Sequence, residues 1–372
     1  MRVVIVCPYA MDRHGGVQSH VRSHAAWLRR TGHSCAVIAP GPSNGHEEEG
    51  LLQVGRRRVV SLSGTRFEVT TCTQADLAKL RRDLGPAPVD IVHLHTPFVP
   101  FLPYRVWRAL GGRTVATFHA TVPEPALRLA LGGIARWFQR RVDATIAVSD
   151  TVASYLRRAP EGRPFAILPP GVDLSQWRAI RRGVPERKHV LFLGRFEPRK
   201  GLDTLLKAWP LVLDRLKKEP PFLTLAGDGP LRDQVAAFLR SDVQGTARLV
   251  VSPSDAEAQL LVGEADVLAA PSGYGESYGL ILMEAMAAGT PVVAGDNPGY
   301  RAALGAAGEV CLVTPGDAPA LAERIAFLLS DDDARSALAT RGRAHALQAD
   351  IATVAPSIQR LYDIAMRRAD GP

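Results

Sequence analysis

Several absences narrow the chain before any motif does. Cysteine is scarce: four in 372 residues, at Cys7, Cys35, Cys72 and Cys311, with no CxxC pair and no zinc-ligand spacing. Three of them sit in apolar, strand-like runs, so they read as buried free thiols of a reducing cytoplasm, not as a disulfide framework. No apolar run approaches the roughly 20 residues that a bilayer-spanning helix needs. The opening Met1-Arg2-Val3-Val4-Ile5-Val6-Cys7 is too short for a signal peptide and reads as a first strand. Aromatics make up 6% of the residues and nowhere interleave with basic ones as base-stacking platforms would. Nucleic acid is therefore not the expected partner, despite a pI near 9.6. No GxGxxG follows the opening strand of either half, which counts against a NAD enzyme.

What is present describes a soluble globular protein, 46% hydrophobic and 22% charged. Its length exceeds one ordinary core, so two domains are expected. The net charge of +8 is unevenly placed: residues 1–175 hold 22 Lys/Arg against 13 Asp/Glu, and residues 176–372 hold 23 against 24. A basic first half suits an anionic membrane surface, a phosphorylated substrate or a nucleic acid, or is simply a solvated face.

The periodicity predicts alternating strands and helices in two passes. Arg2 to Cys7 is a buried-type strand, Val17 to Arg30 a helix stopped by Gly32, and Cys35 to Ala39 a second strand. Ser43 to Arg58 reads as an exposed polar loop or hairpin and Val59 to Leu62 as a short strand. Phe98 to Leu110 and Pro125 to Arg141 are predicted helices on either side of a strand ending at His119. After a charged linker, Val172 to Lys188, the rhythm restarts with strand His189 to Leu193. Such alternation implies two Rossmann-like, doubly wound α/β domains, with ligands at the carboxyl ends of the parallel strands in a cleft they face.

Chemistry concentrates in Gly273-Tyr274-Gly275-Glu276-Ser277-Tyr278-Gly279-Leu280, which runs into a helical pattern carrying Glu284 and ending at Ala287-Ala288-Gly289. A helix entered through glycine-rich backbone offers unpaired N–H groups and the positive end of its dipole, which suits a phosphate. Carboxylates beside such a site suit hydroxyls, so a nucleotide sugar is the natural ligand.

With Gly15-Gly16 after the first strand and Gly194-Arg195…Lys200-Gly201 after the first strand of the second half, the pattern resembles the GT-B retaining glycosyltransferases of family 4. The resemblance spans essentially the whole chain. Within that family, Cys7-Pro8-Tyr9, Gly15-Gly16-Val17-Gln18-Ser19-His20-Val21, Ala116-Thr117-Phe118-His119 and Phe192-Leu193-Gly194-Arg195 look most like the bacterial members that mannosylate phosphatidylinositol. The resemblance implies an acceptor-binding domain of residues 1–173 plus 352–372, its last helix crossing back, and a nucleotide-sugar domain of residues 174–351. It implies Arg195 and Lys200 on the donor diphosphate, Glu276 on the transferred hexose and Glu284 on the ribose. Gly15, Gly16 and the backbone of Ser277, Tyr278, Gly279 and Leu280 would contact phosphate and sugar, and His119 would line the sugar pocket unless it is a core histidine.

Asp12, Gln18 and Arg66 are the acceptor-side candidates the resemblance implies. Leu62-Ser63-Gly64-Thr65-Arg66-Phe67 departs from the Tyr-Asn pair those members carry before their acceptor-phosphate arginine, and Ala258 stands near their guanine-associated lysine. GDP-mannose with a lipid or phosphate-bearing acceptor is the favoured pairing, a UDP-sugar with a soluble acceptor is the alternative, and a non-catalytic nucleotide-sugar-binding protein, against which intact Glu276, Arg195, Lys200 and Glu284 argue, is the last. No cofactor is required, with Mg²⁺ on the donor diphosphate left open. Asp331-Asp332-Asp333 matches a DxD pattern but reads as a helix start, where acids cap and offset the dipole. His20 and His24, spaced i,i+4 on a helix, lack an evident third metal ligand. Trp137-Phe138 beside Arg140-Arg141 gives the Leu127–Arg141 helix a basic amphipathic face, suited to packing on a sheet or to an anionic membrane on the cytoplasmic side.

Overall fold

The computed structural model describes the chain except residues 13–14, 42–47, 63–64, 121–124, 155, 157–162, 181–185, 242, 244, 309–310 and 368–372, and describes no side chains for 58–62, 65–68, 125–131 and 306–307. Two compact units result, Met1–Asp173 with Ala349–Pro372, and Leu174–Gln348.

The first unit is built on an eight-stranded sheet of β1 (Arg2–Val6), β2 (Ser34–Gly41), β3 (Leu51–Leu62), β4 (Thr65–Thr71), β5 (Ile91–His95), β6 (Arg113–Phe118), β7 (Ala144–Ala147) and β8 (Phe165–Ile167). Their order is β4-β3-β2-β1-β5-β6-β7-β8, parallel except for the β3–β4 pair. The central strands read as near-continuous Val/Ile/Leu runs because both faces are covered, as parallel sheets require. One face carries Val4, Val6, Val92, Leu94, Ala116 and Phe118. The other carries Val3, Ile5, Ile91 and Val115 beneath the helix Gly16–Arg30 and the C-terminal helix Ile351–Arg367. That last helix buries Val354, Ile358, Leu361 and Tyr362 there, so the chain ends by returning to its first unit.

The stretch expected as a loop before a short strand departs from its sequence reading. From Leu51 it is one long strand, parallel to β2 as far as Arg56, with a register shift after Val54, and antiparallel to β4 from Arg56 to Leu62. Gly50, Gly55 and the basic run Arg56–Arg58 read as loop signals and hide the strand. The Phe98 helix likewise starts later, at Leu102, after Phe101 takes a φ of 74°.

The second unit holds a six-stranded, all-parallel sheet of β9 (His189–Leu193), β10 (Phe222–Gly227), β11 (Ala247–Val251), β12 (Val267–Ala270), β13 (Val292–Gly295) and β14 (Leu312–Val313). The order β11-β10-β9-β12-β13-β14 reverses direction between β9 and β12. In open α/β sheets that reversal opens a crevice beyond the carboxyl ends of the two strands. In the first sheet the same reversal lies between β1 and β5.

Candidate active site

The loops that leave β9 and β12 carry the charged residues singled out in the sequence, and two close backbone approaches lock them in place. Gly201 ends the β9 loop in a left-handed conformation, φ 69°, where an added Cβ would stand 2.0 Å from the carbonyl oxygen of Pro271 in the β12 loop. The amide of Gly273 donates to the carbonyl of Arg199 at 3.0 Å. Side chains on these two loops therefore meet although 76 residues separate them in sequence.

Lys200 Nζ lies 2.7 Å from Glu276 Oε1, and Arg199 Nη1 lies 3.2 Å from the same oxygen. Arg199 Nε also reaches Glu197 at 2.8 Å, and Arg195 pairs with the other Glu197 oxygen at 2.9 Å. Three cations and two carboxylates thus form one chain of ion pairs. Glu276 and Lys200 are nearly enclosed, while Arg195 is mostly exposed. Burial alone would raise the Glu276 carboxyl, but Lys200, Arg199 and the Ser272 hydroxyl outweigh it and hold the group below its ordinary value. Burial lowers Lys200, with the Glu276 charge acting the other way.

Arg199 and Glu197 were not singled out by sequence reading, nor were the groups behind Glu276. An added Cβ on Gly299 would stand 2.2 Å from the Glu276 carbonyl oxygen, so only glycine lets the helix Pro298–Leu304 seat the loop. Asn297 caps that helix at Tyr300 N and donates to Ser272 O at 2.9 Å, and Tyr300 Oη meets Ser272 Oγ at 3.1 Å. The sequence signal was present as Asn297-Pro298-Gly299, a cap followed by an N1 proline.

Gly279 caps the helix Leu280–Ala288, and Tyr278 is buried with its hydroxyl bonded to Gln348. Only the backbone of Tyr278 is thereby left for a ligand. Ser277 is half-buried just ahead of the cap. Glu284, in the second turn, has no cation partner among the described residues. Burial raises its pKa to about 7, with Asp255 nearby adding to the shift. Asp331 accepts from the Ala334 amide as a helix cap, and Asp332 pairs with Lys188 and Arg335.

In the first unit, Gly15 is the extended cap of its helix, where a Cβ would meet the Gln18 amide oxygen at 2.5 Å, and Gly16 is exposed. Gln18 is buried and donates to Ala10 O at 3.2 Å, and Asp12 pairs with Arg57 at 3.3 Å. Both acceptor-side candidates thus bond within their own unit, and the Arg66 side chain lies outside the described residues. His119 belongs to a buried group of five histidines. His20 and His24 are both buried in the core, and ligand atoms of His20, not His24, lie within 4.8 Å of those of His95 and His119. Sequence reading missed His93 and His95, although two histidines spaced i,i+2 on a strand must share one face.

In the Pro125–Gln139 helix, Ala135 and Phe138 are buried in the core, while Ile134 and Trp137 are exposed. Arg141 lies over the Trp137 ring at 4.1 Å, and exposed Tyr104 packs beside it. No described helix is long and apolar enough to cross a membrane.

Residues 14–176 match the family described as Glycosyltransferase Family 4, and residues 175–345 that described as Glycosyl transferases group 1. The chain is 33% identical over 370 residues to the phosphatidyl-myo-inositol mannosyltransferase of Mycolicibacterium smegmatis, covering 98% of this chain and 94% of that one. Among solved structures it is similar to sucrose-phosphate synthase from Thermosynechococcus elongatus, with a TM-score of 0.73 at 19% identity over 97% of this chain and 98% of that one. It is also similar to the pneumococcal O-GlcNAc transferase GtfA in complex with UDP and GlcNAc, with a TM-score of 0.76 at 11% identity over 99% of each chain. At such identities the two structures speak for the fold alone.

Proposed function

This chain belongs to glycosyltransferase family 4 and has the GT-B fold, and from that premise we propose that it transfers mannose from GDP-mannose, with retention of configuration, to a phosphatidylinositol-type acceptor. The supporting relative is the mannosyltransferase that is 33% identical over nearly the full chain. The single observation that carries the donor half is the meeting of Lys200 and Glu276 at 2.7 Å beyond the carboxyl ends of β9 and β12.

Without a donor, Glu276 is the anion that satisfies Lys200 and Arg199. A bound diphosphate replaces it: Lys200 and Arg195 turn to the phosphate oxygens, and Glu276 is released to accept hydroxyl protons of the sugar. Amides at the start of the Leu280–Ala288 helix add donors for the phosphate, and Glu284 accepts the ribose hydroxyls. As the glycosidic bond breaks, charge grows on the diphosphate, and cations held in place stabilise it without reorganising. Leaving-group stabilisation of this kind needs no metal, and Mg²⁺ carried on the diphosphate is compatible with it. The departing phosphate oxygen takes the acceptor proton on the same face, so no carboxylate nucleophile is needed.

Exposed Ile134, Trp137 and Tyr104 beside Arg140 and Arg141 support contact with an anionic membrane on its cytoplasmic side, where a lipid acceptor would be presented. A second reading, a UDP-sugar donor with a soluble acceptor, is favoured by one residue: Ala258, half-buried in the Asp255–Glu264 helix, offers no cation to a guanine. Thermal-shift titration with GDP-, UDP- and ADP-sugars separates the two. A ligand at about 100 times its Kd stabilises by about 2.7 kcal/mol, and the first reading expects that shift with GDP-mannose. A shift with UDP-sugars alone favours the second, and a shift with none rejects the donor site.

A further inference from the structure

One face of the first sheet is unusually polar beneath its covering helices. His93 and His95 project from β5, Thr117 from β6 with His119 just past its end, and His20 and His24 come down one face of the Gly16–Arg30 helix. All five histidines are buried, and burial foremost pushes each below its ordinary value, His20 to about 4. They are therefore neutral at physiological pH, with one N–H and one lone pair each. Their hydrogen bonds decide which nitrogen carries the proton.

Two bonds matter most. His20 Nδ1 lies 2.7 Å from the carbonyl oxygen of Gly171 and must donate, which leaves its Nε2 bare. His95 Nδ1 lies 2.8 Å from His119 Nε2, with the rings stacked. One of that pair donates and the other accepts. His95 Nε2 is buried without a partner among the described residues. If His119 donated, the His95 proton would sit on that Nε2 as a buried N–H with no acceptor. Such orphaned donors are rarer in proteins than bare acceptors and cost about 1–3 kcal/mol. The favourable arrangement is a proton on His95 Nδ1, donated to a bare His119 Nε2. His119 then carries its own proton on Nδ1; His119 keeps 7% exposure, and this nitrogen, unlike His95 Nε2, is not among the fully buried unpartnered ones, so its N–H is open to water or to a ligand.

We propose that His95 is a positioning residue that fixes His119 as the Nδ1–H tautomer, so that His119 donates a hydrogen bond to an oxygen of the transferred sugar and has no lone pair to serve as a base there. The sugar contact rests on the proposed reading of His119 as a pocket residue. The tautomer itself does not. His95 is fully buried and touches no substrate, so it acts through His119.

Long-range ¹H–¹⁵N correlation spectra of ¹⁵N-histidine-labelled protein read the tautomer directly. The expected result is a pyrrole-like Nδ1 and a pyridine-like Nε2 for His119, with the same assignment for His95. His95→Asn keeps a donor near the Nδ1 position and should hold kcat/KM within about threefold. His95→Leu removes it and should lower kcat/KM about tenfold, the equivalent of one hydrogen bond, with the His119 tautomer signature lost. A pyridine-like His119 Nδ1 in the wild type overturns the proposal. If the tautomer is as expected but saturating donor leaves the His119 signals unmoved, the sugar contact is overturned while the hydrogen-bond pair stands. Should Zn²⁺ at micromolar concentration shift His20, His95 and His119 together, the cluster is a metal site and the proposal falls.

Discussion

Removing either partner of the Lys200–Glu276 pair should destabilise the second unit, but unequally. Their side chains are 19% and 10% exposed, so solvent screens the pair little. Deleting one partner of a buried ion pair costs about 3–5 kcal/mol when the other is left uncompensated. Lys200→Met does not leave Glu276 uncompensated, because Arg199 lies 3.2 Å away and the Ser272 hydroxyl still donates. Its cost should be about 2 kcal/mol, that of one charged hydrogen bond. Glu276→Gln removes the carboxylate that pairs with Lys200 among the described residues, while Arg199 keeps Glu197. That variant should lose about 4 kcal/mol. With a urea m-value of about 2 kcal/mol/M, the two midpoints should differ by about 1 M. GDP should then stabilise Glu276→Gln more than wild type, since its diphosphate supplies the anion the substitution took away. Equal losses in the two variants, or a larger loss for Lys200→Met, would refute the reasoning that Arg199 is the second partner of Glu276.

Four further expectations follow from the same geometry. Glu284, with its pKa raised to about 7, is protonated in the folded state below that value and ionised in the unfolded state above about 4.3. Folding stability should thus fall as pH rises from about 4.5 to 7, while donor affinity should rise toward pH 8 as the ribose acceptor ionises; calorimetric titration should lose this slope in Glu284→Gln. Gly299→Ala drives a Cβ into the Glu276 carbonyl and should abolish donor binding without touching the ligand, measured as a lost thermal shift. His24 buries two ring nitrogens with no partner among the described residues, so His24→Leu should leave stability unchanged or raise it by about 1 kcal/mol; a loss above about 2 kcal/mol by urea denaturation means the ring has a partner. Liposome co-sedimentation should require anionic lipid, weaken with salt, and drop in Trp137→Ala with Arg141→Ala; salt-insensitive binding would remove the membrane reading.

The sequence carried the two-sheet architecture well, because parallel strands covered on both faces leave continuous apolar runs such as Val3–Val6 and His189–Leu193. It also singled out the charged loops after β9 and β12, since Glu276, Arg195 and Lys200 each stand beside a glycine. It was silent on what those side chains touch. Arg199 and Glu197 look like ordinary surface charge until the strand order puts β9 beside β12, and no local pattern encodes that order. The β3–β4 ribbon was missed because Gly50, Gly55 and the basic run Arg56–Arg58 read as loop signals. The histidine cluster was missed because its members come from β5, β6 and one helix, and only the i,i+2 spacing of His93 and His95 hinted at a shared face.

The central claim is tested most directly by incubating the protein with GDP-mannose and phosphatidylinositol vesicles and determining the product and its anomeric configuration by NMR. The account predicts GDP release and an α-mannosyl lipid, the configuration of the donor retained, with Glu276→Gln inactive. A β-linked product, or turnover only with a UDP-sugar and a soluble acceptor, would contradict it.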